Sequence, residues 1–433
     1  MTADTDRLRA AKLVARTPAT RNRYVDFLRV ASLGVVVLGH WMMAGVWIDD
    51  GEVNGRNVLE LVPVLQYATW VLQVMPVFFF VGGFANAASW GAAERKGVDY
   101  AEWLRARMAR LLRPTLTFIV AWSAIAALLA EVSGVDPDLV ASTARLLAMP
   151  LWFLAVYVLV IPAAPVMFRL HRRFGVGALL ALAVATVAGD VVRRLLGIEL
   201  AGWGNYLFVW LAIHQLGFFW QDGRVKAIRT RLAMAAAGLA TMITLTGFDL
   251  YSHSMLGVGD EGNNSPPTLM LIVLAVWQFG LFLSFEAPAR RWLARARVWK
   301  AVITANGMAM TIYLWHQTAM VVAVVIALVS GFGLRRPLLS GGWWASRPMW
   351  ILAVMLLLAP LLLLFLRVER APPKPRAGGS TVVAAIGAIA TGAGLSGLVL
   401  QGFLPGSGPG GVAAIPLMLL GAGAMLLLKR RPA

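Results

Sequence analysis

Residues 23–40 read RYVDFLRVASLGVVVLGH, with two arginines and an aspartate at the entry, an apolar run behind them and a histidine inside that run. Counted on to Trp47, the stretch is long enough to cross a bilayer, which takes about 20 residues at ~1.5 Å each. At about 100° per residue, Asp26, Arg29 and His40 fall on one helix face. Eleven residues separate Arg29 from His40, so the imidazole stands about 16 Å deeper than the guanidinium. An ionisable side chain at that depth is costly, and by default marks function.

The rest of the chain has the same character. Of 433 residues, 59% are hydrophobic and 14% charged, with a mean hydropathy of +0.72. The apolar residues come in blocks near 20 long, too many to hide in one water-soluble core. The expected class is an all-α polytopic membrane protein. Residues 1–22 form a polar, basic tail with neither a short apolar core nor a small-residue cleavage site, so the first span reads as an uncleaved anchor. A net charge of +18 raises nucleic-acid binding, but the cations lie in short loops between spans, the pattern of positive-inside orientation, and no nucleic-acid partner is expected. With no cysteine in the chain, disulfides, thiol nucleophiles and Cys-ligated zinc are excluded.

Length and flanks place about twelve spans near 25–48, 66–90, 112–131, 151–168, 176–195, 204–220, 232–250, 268–286, 301–330, 348–367, 381–401 and 411–428. The connections at 91–113, 169–175, 221–231, 287–300, 368–380 and 429–433 are Arg-rich. Those at 49–65, 132–150, 251–267 and 402–410 are acidic or rich in Gly, Pro and Asn. This alternation predicts a multi-pass protein of the cytoplasmic membrane with both termini in the cytoplasm. Arg193-Arg194 and Arg335-Arg336 run against the trend without reversing it. Residues 371–380, APPKPRAGGS, read as a linker between a core over 23–370 and a Gly-rich two-helix segment over 381–433.

Several stretches together resemble acyltransferase family 3, integral membrane enzymes that acylate sugars, polysaccharides, lipids and small molecules. Arg23-x-x-Asp26-x-Leu28-Arg29 followed by His40 resembles the family's opening helix. Pro76 to Phe84, PVFFFVGGF, is similar to its Phe-rich motif, with Gly82 where serine is common; glycines there also suit close helix packing. Arg105-x-Arg107 and the later Arg113-Pro114 look like the basic motif that the family places beside the acyl-CoA donor. Leu151-Trp152-Phe153-Leu154 resembles another landmark, though its aromatics equally suit an interfacial belt. Tyr313-Leu314-Trp315-His316 looks like the family's Tyr-Leu-x-His. The resemblance covers about residues 20–367 and implies about ten core helices, leaving the last two outside it.

The resemblance implies O-acyl transfer, with an acetyl group expected, from cytoplasmic acyl-CoA to a hydroxyl of a glycan, lipid-linked sugar or glycosylated small molecule. His40 would be the general base, or in a variant an acyl carrier. Asp26 and Arg29, with Arg105, Arg107, Arg110 and Arg113, would hold the donor, because guanidinium forks match phosphate oxygens. The same arginines also suit a positive-inside or anionic-lipid cluster, and only six of the 39 basic residues are lysines, so arginine preference is chain-wide. His214, Tyr313 and His316 are candidate lumen or acceptor contacts, with interhelix hydrogen bonding as the alternative for both histidines. No permanently bound cofactor and no metal is expected: the chain has no His-Glu-x-x-His, phosphate loop or Gly-x-Ser-x-Gly. A transporter or flippase with a histidine-containing pathway is the alternative of a different class. Its ionisable pairs would sit near the midplane, whereas the acids here fall at span ends.

Overall fold

A computed structural model describes residues 17–18, 21–49, 52–131, 137–257, 262–330, 336–370, 380–403, 415, 418–419 and 421–423. Among them, nine helices are long and apolar enough to cross a membrane, and Leu269–Ser284 with Glu286–Leu293 is long and apolar enough only as a pair, bent by 53° at its break. The all-α polytopic class expected from composition is the observed one. The one paired sheet among the described residues is an antiparallel hairpin of Ala44–Asp49 and Glu52–Asn57.

That hairpin corrects the first expected span. The opening helix runs unbroken from Arg23 to Met43 and stops there, not at 48. Gly45 weakens the helix, and Val46-Trp47-Ile48 is a β-rich run better satisfied by pairing with Glu52–Asn57. Other boundaries shift for similarly local reasons. Most of the expected basic loop over 91–113 is helix: Met75–Arg95 ends just before a short turn, and Tyr100–Ala130 begins with Asp99 as its cap, accepting from the Glu102 amide at 2.7 Å. The expected span over 301–330 is split at Gly307 into Ala296–Asn306 and Ala309–Ser330. The expected sixth span over 204–220 lies in helix Glu199–Gln221, which falls outside the nine apolar helices because it carries the buried polar groups Asn205, His214 and Gln215. The twelfth span and the linker lie largely outside the described residues, as does Arg335.

The chain divides into two compact units. One takes residues 1–36, 59–89 and 164–309. Within it, Ile228–Gly247 packs along Leu269–Ser284, and Glu199–Gln221 along Val176–Leu196. Met75–Arg95 crosses Glu199–Gln221 at backbone contact: a Cβ on Gly83 would strike the His214 carbonyl, and one on Gly217 the Phe80 carbonyl. The Gly82-Gly83 patch thus does the close packing read from the sequence, at Gly83.

The other unit takes 37–58, 90–163 and 310–433. Here Tyr100–Ala130 packs against Gly341–Arg370, Pro137–Ala148 and Thr381–Gln401. It also meets Ala309–Ser330, where Phe118 lies edge-on to Trp315 at 5.2 Å and Trp122 Nε1 donates to Thr318 Oγ1 at 3.0 Å. Gly421 packs so closely on Thr381–Gln401 that a Cβ would lie 2.6 Å from the Gly387 carbonyl.

Candidate active site

Two histidines distant in sequence meet in the second unit. His40, three residues before the end of the opening helix, approaches His316 in Ala309–Ser330, with Nδ1 of His40 2.8 Å from Nε2 of His316. The rings are nearly parallel, 9° between planes with centroids 5.1 Å apart. His316 is fully buried and His40 half-buried.

The hydrogen bonds assign the tautomers of the neutral pair. Nδ1 of His316 lies 2.6 Å from the carbonyl oxygen of Tyr313 one turn earlier. A carbonyl only accepts, so that Nδ1 carries the proton and Nε2 of His316 has the lone pair. The proton between the rings then belongs to Nδ1 of His40, which leaves the lone pair on Nε2 of His40. That atom has no further partner among the described residues. The order carbonyl, orienting ring, base ring has the logic of an activated base held by a third group.

The pair is braced from outside. Trp41 Nε1 donates to the His316 carbonyl at 3.0 Å, and Trp350 Nε1 to the Trp41 carbonyl at 3.1 Å. Glu369, at the far end of Gly341–Arg370, accepts from the amides of Met310 and Thr311 at 3.0 and 2.9 Å and from the Thr311 hydroxyl at 2.5 Å. It caps the first turn of the His316 helix, where amides lack intrahelical acceptors and a negative charge is favoured. Glu369 and Trp350 were not among the residues singled out from sequence; an acid inside a basic span end was the one available signal for Glu369. Tyr313 donates its hydroxyl to the Pro150 carbonyl and packs on Phe153, centroids 5.7 Å apart, so its polar end is committed to protein.

The four arginines lie on the first turns of Tyr100–Ala130, inside a helix and not at a loop mouth. Arg105 is buried, Arg107 and Arg113 are half-buried and Arg110 is exposed. At 100° per residue they spread over roughly 200° of the helix surface. Arg107 precedes Phe118, the contact to Trp315, by about 16 Å along the axis.

The other predicted residues lie in the first unit. Asp26 is buried, with Arg21 Nε at 2.7 Å, Arg29 at 3.5 Å and the Asn306 amide at 3.4 Å. Its closest cation is therefore Arg21, which the sequence reading passed over. His214 is fully buried with Nε2 3.0 Å from the Asn86 amide nitrogen, a bond between neighbouring helices. Asn205 donates to Asp190 at 2.9 Å. Asp190 also accepts from the Tyr251 hydroxyl at 2.8 Å and the Leu269 amide at 3.0 Å, tying down the connection after Ile228–Gly247. Burial and the Asp190 carboxylate push the Tyr251 hydroxyl above the ordinary tyrosine range. Among the described residues, no three His, Asp or Glu side chains come together to hold a metal ion.

A family model for an acyltransferase domain matches residues 22–366. No curated protein and no solved structure matches the chain.

Proposed function

Because the chain belongs to acyltransferase family 3, we propose that it moves an acyl group, acetyl in the simplest case, from acyl-CoA to a hydroxyl of a glycan, lipid-linked sugar or glycosylated small molecule, with His40 as base. The observation that carries this reading is the His40–His316 pair, whose hydrogen bonds put the lone pair on Nε2 of His40. Nε2 takes the acceptor's hydroxyl proton as that oxygen attacks the thioester carbonyl. The tetrahedral centre collapses, the carbon–sulfur bond breaks, and the departing coenzyme A sulfur recovers the proton from the imidazolium. While His40 is positively charged, its Nδ1–H bond to His316 is charge-assisted. The pair therefore holds more tightly in the transition state than in the ground state, the condition for an interaction to speed chemistry.

Arg105, Arg107, Arg110 and Arg113 are assigned to the nucleotide end of the donor. The spacing of about 16 Å between Arg107 and the level of Trp315 is of the order of coenzyme A's extended arm. The protein is placed in the cytoplasmic membrane with its basic connections, and so the donor end, on the cytoplasmic side.

The test is comparative mass spectrometry of glycans, lipids and secreted small molecules from cells carrying the intact protein or His40→Ala. A product heavier by one acyl group, present only with the intact protein, is the expected result and identifies donor and acceptor together. Identical profiles, with both proteins accumulating equally in the membrane, refute the reading.

A further inference from the structure

Helix Gly341–Arg370 carries an arginine, Arg347, that has no counter-charge among the described residues. Arg347, in its second turn, keeps only 7% of its surface exposed. Its guanidinium carbon lies 4.0 Å from the centre of the Trp343 ring and 5.4 Å from that of Trp350. Among the described residues no carboxylate pairs with it, and its Nε is sealed from solvent without a hydrogen-bond acceptor. Trp343 Nε1, in the same stack, is sealed without an acceptor too. Indole faces attract a cation, yet they offer nothing to the in-plane N–H groups of a guanidinium. Two orphaned donors one helical turn apart, on a guanidinium whose outer nitrogens are not among the sealed atoms and on an indole, describe a site that an oxyanion reaches through those nitrogens.

Its place narrows the ligand. Arg347 lies six residues into its helix, roughly 9 Å from the start, at a span end where lipid phosphates lie. A phosphate has oxygens enough to take a guanidinium fork and an indole N–H together. Trp350, one wall of the stack, donates to the carbonyl of Trp41, whose own indole holds the carbonyl of His316. We propose that Arg347 and Trp343 bind the phosphate group of a lipid-anchored acyl acceptor, on the same Trp350–Trp41 brace that supports His40 and His316. Calling the carrier an acceptor rests on the acyl-transfer reading; the phosphate site does not.

The full chain in a neutral maltoside detergent would be titrated calorimetrically with two probes, dihexanoyl phosphatidate and inorganic phosphate. The wild type is expected to bind phosphatidate. Arg347→Lys keeps the charge but loses the fork and the stack, so its affinity should fall about 10-fold to 150-fold, and Arg347→Ala should show no binding. If the alanine variant melts early, the lysine variant with a wild-type melting temperature decides. Inorganic phosphate binding as tightly as phosphatidate would overturn the lipid-borne assignment. No binding of either probe to the wild type, or unchanged affinity in the Arg347 variants, would overturn the site. The His40→Ala mass comparison succeeds or fails independently of these titrations, so the two readings can be lost separately.

Discussion

Replacing His316 by alanine removes the acceptor of the His40 Nδ1–H bond, 2.8 Å long in the intact protein, while leaving the base itself in place. A donor stripped of its acceptor in a half-buried setting costs about 1–3 kcal/mol. Carried fully into the barrier, that is roughly 5-fold to 150-fold in rate. His40→Ala removes the base, and should cost about 100-fold to 10,000-fold. His316→Gln separates the two roles. The glutamine side-chain oxygen lies as many bonds from Cα as the histidine Nε2 and can accept from His40 in the same place, though without the Tyr313 carbonyl contact. The expected order of rates is wild type, His316→Gln, His316→Ala, His40→Ala, with the glutamine variant within about 10-fold of wild type. The assay is the rate at which mass spectrometry detects an isotopically labelled acyl group on product, normalised to the amount of protein in the membrane. A His316→Gln variant as slow as His40→Ala would refute the assignment of His316 as a mere acceptor. A wild-type rate in His316→Ala would show that the pair's hydrogen bond plays no part in the reaction.

Glu369→Ala uncaps the His316 helix and should lower stability by about 0.5–2 kcal/mol together with the turnover rate, whereas Glu369→Gln, which can still accept, should lose less of each; thermal melting in detergent and the labelled-product rate check this. Gly83→Ala drives a methyl into the His214 carbonyl and should cost about 1–3 kcal/mol, read as a lower melting temperature or poorer accumulation. Arg105→Lys and Arg107→Lys keep the charge but lose the bidentate fork, so acyl-CoA affinity should fall about 10-fold to 150-fold with orientation unchanged. Titration of purified protein, with 3′-dephospho-coenzyme A as control ligand, measures it, and unaltered affinity in both variants reduces the cluster to a topology signal. Reporters fused ahead of Arg21, in the short turn before Tyr100 and after Lys429 should read cytoplasmic, and those in the connections 49–65 and 251–267 external; a C-terminal reporter on the outside would remove one span from the Gly-rich end.

The sequence by itself determined the membrane class, since apolar blocks near 20 residues with basic flanks have no other stable home, and its motifs were enough to name the family that the domain match bears out. His40 and His316 could each be singled out, because an imidazole inside an apolar run stands out against its neighbours. That they touch was not legible: 276 residues separate them, and such a contact depends on how helices pack, not on any local period. The tautomers, the Glu369 cap, the Trp350–Trp41 brace and the orphaned donors at Arg347 and Trp343 are likewise matters of distance between far-apart residues. Helix ends were misread where a local signal was present but outweighed by apolar length, as at Val46-Trp47-Ile48, a β-rich run that pairs as a strand. Hydropathy counts apolar residues along the chain and so recovers what the bilayer selects. Which polar groups face one another is selected by packing, which only the tertiary structure holds.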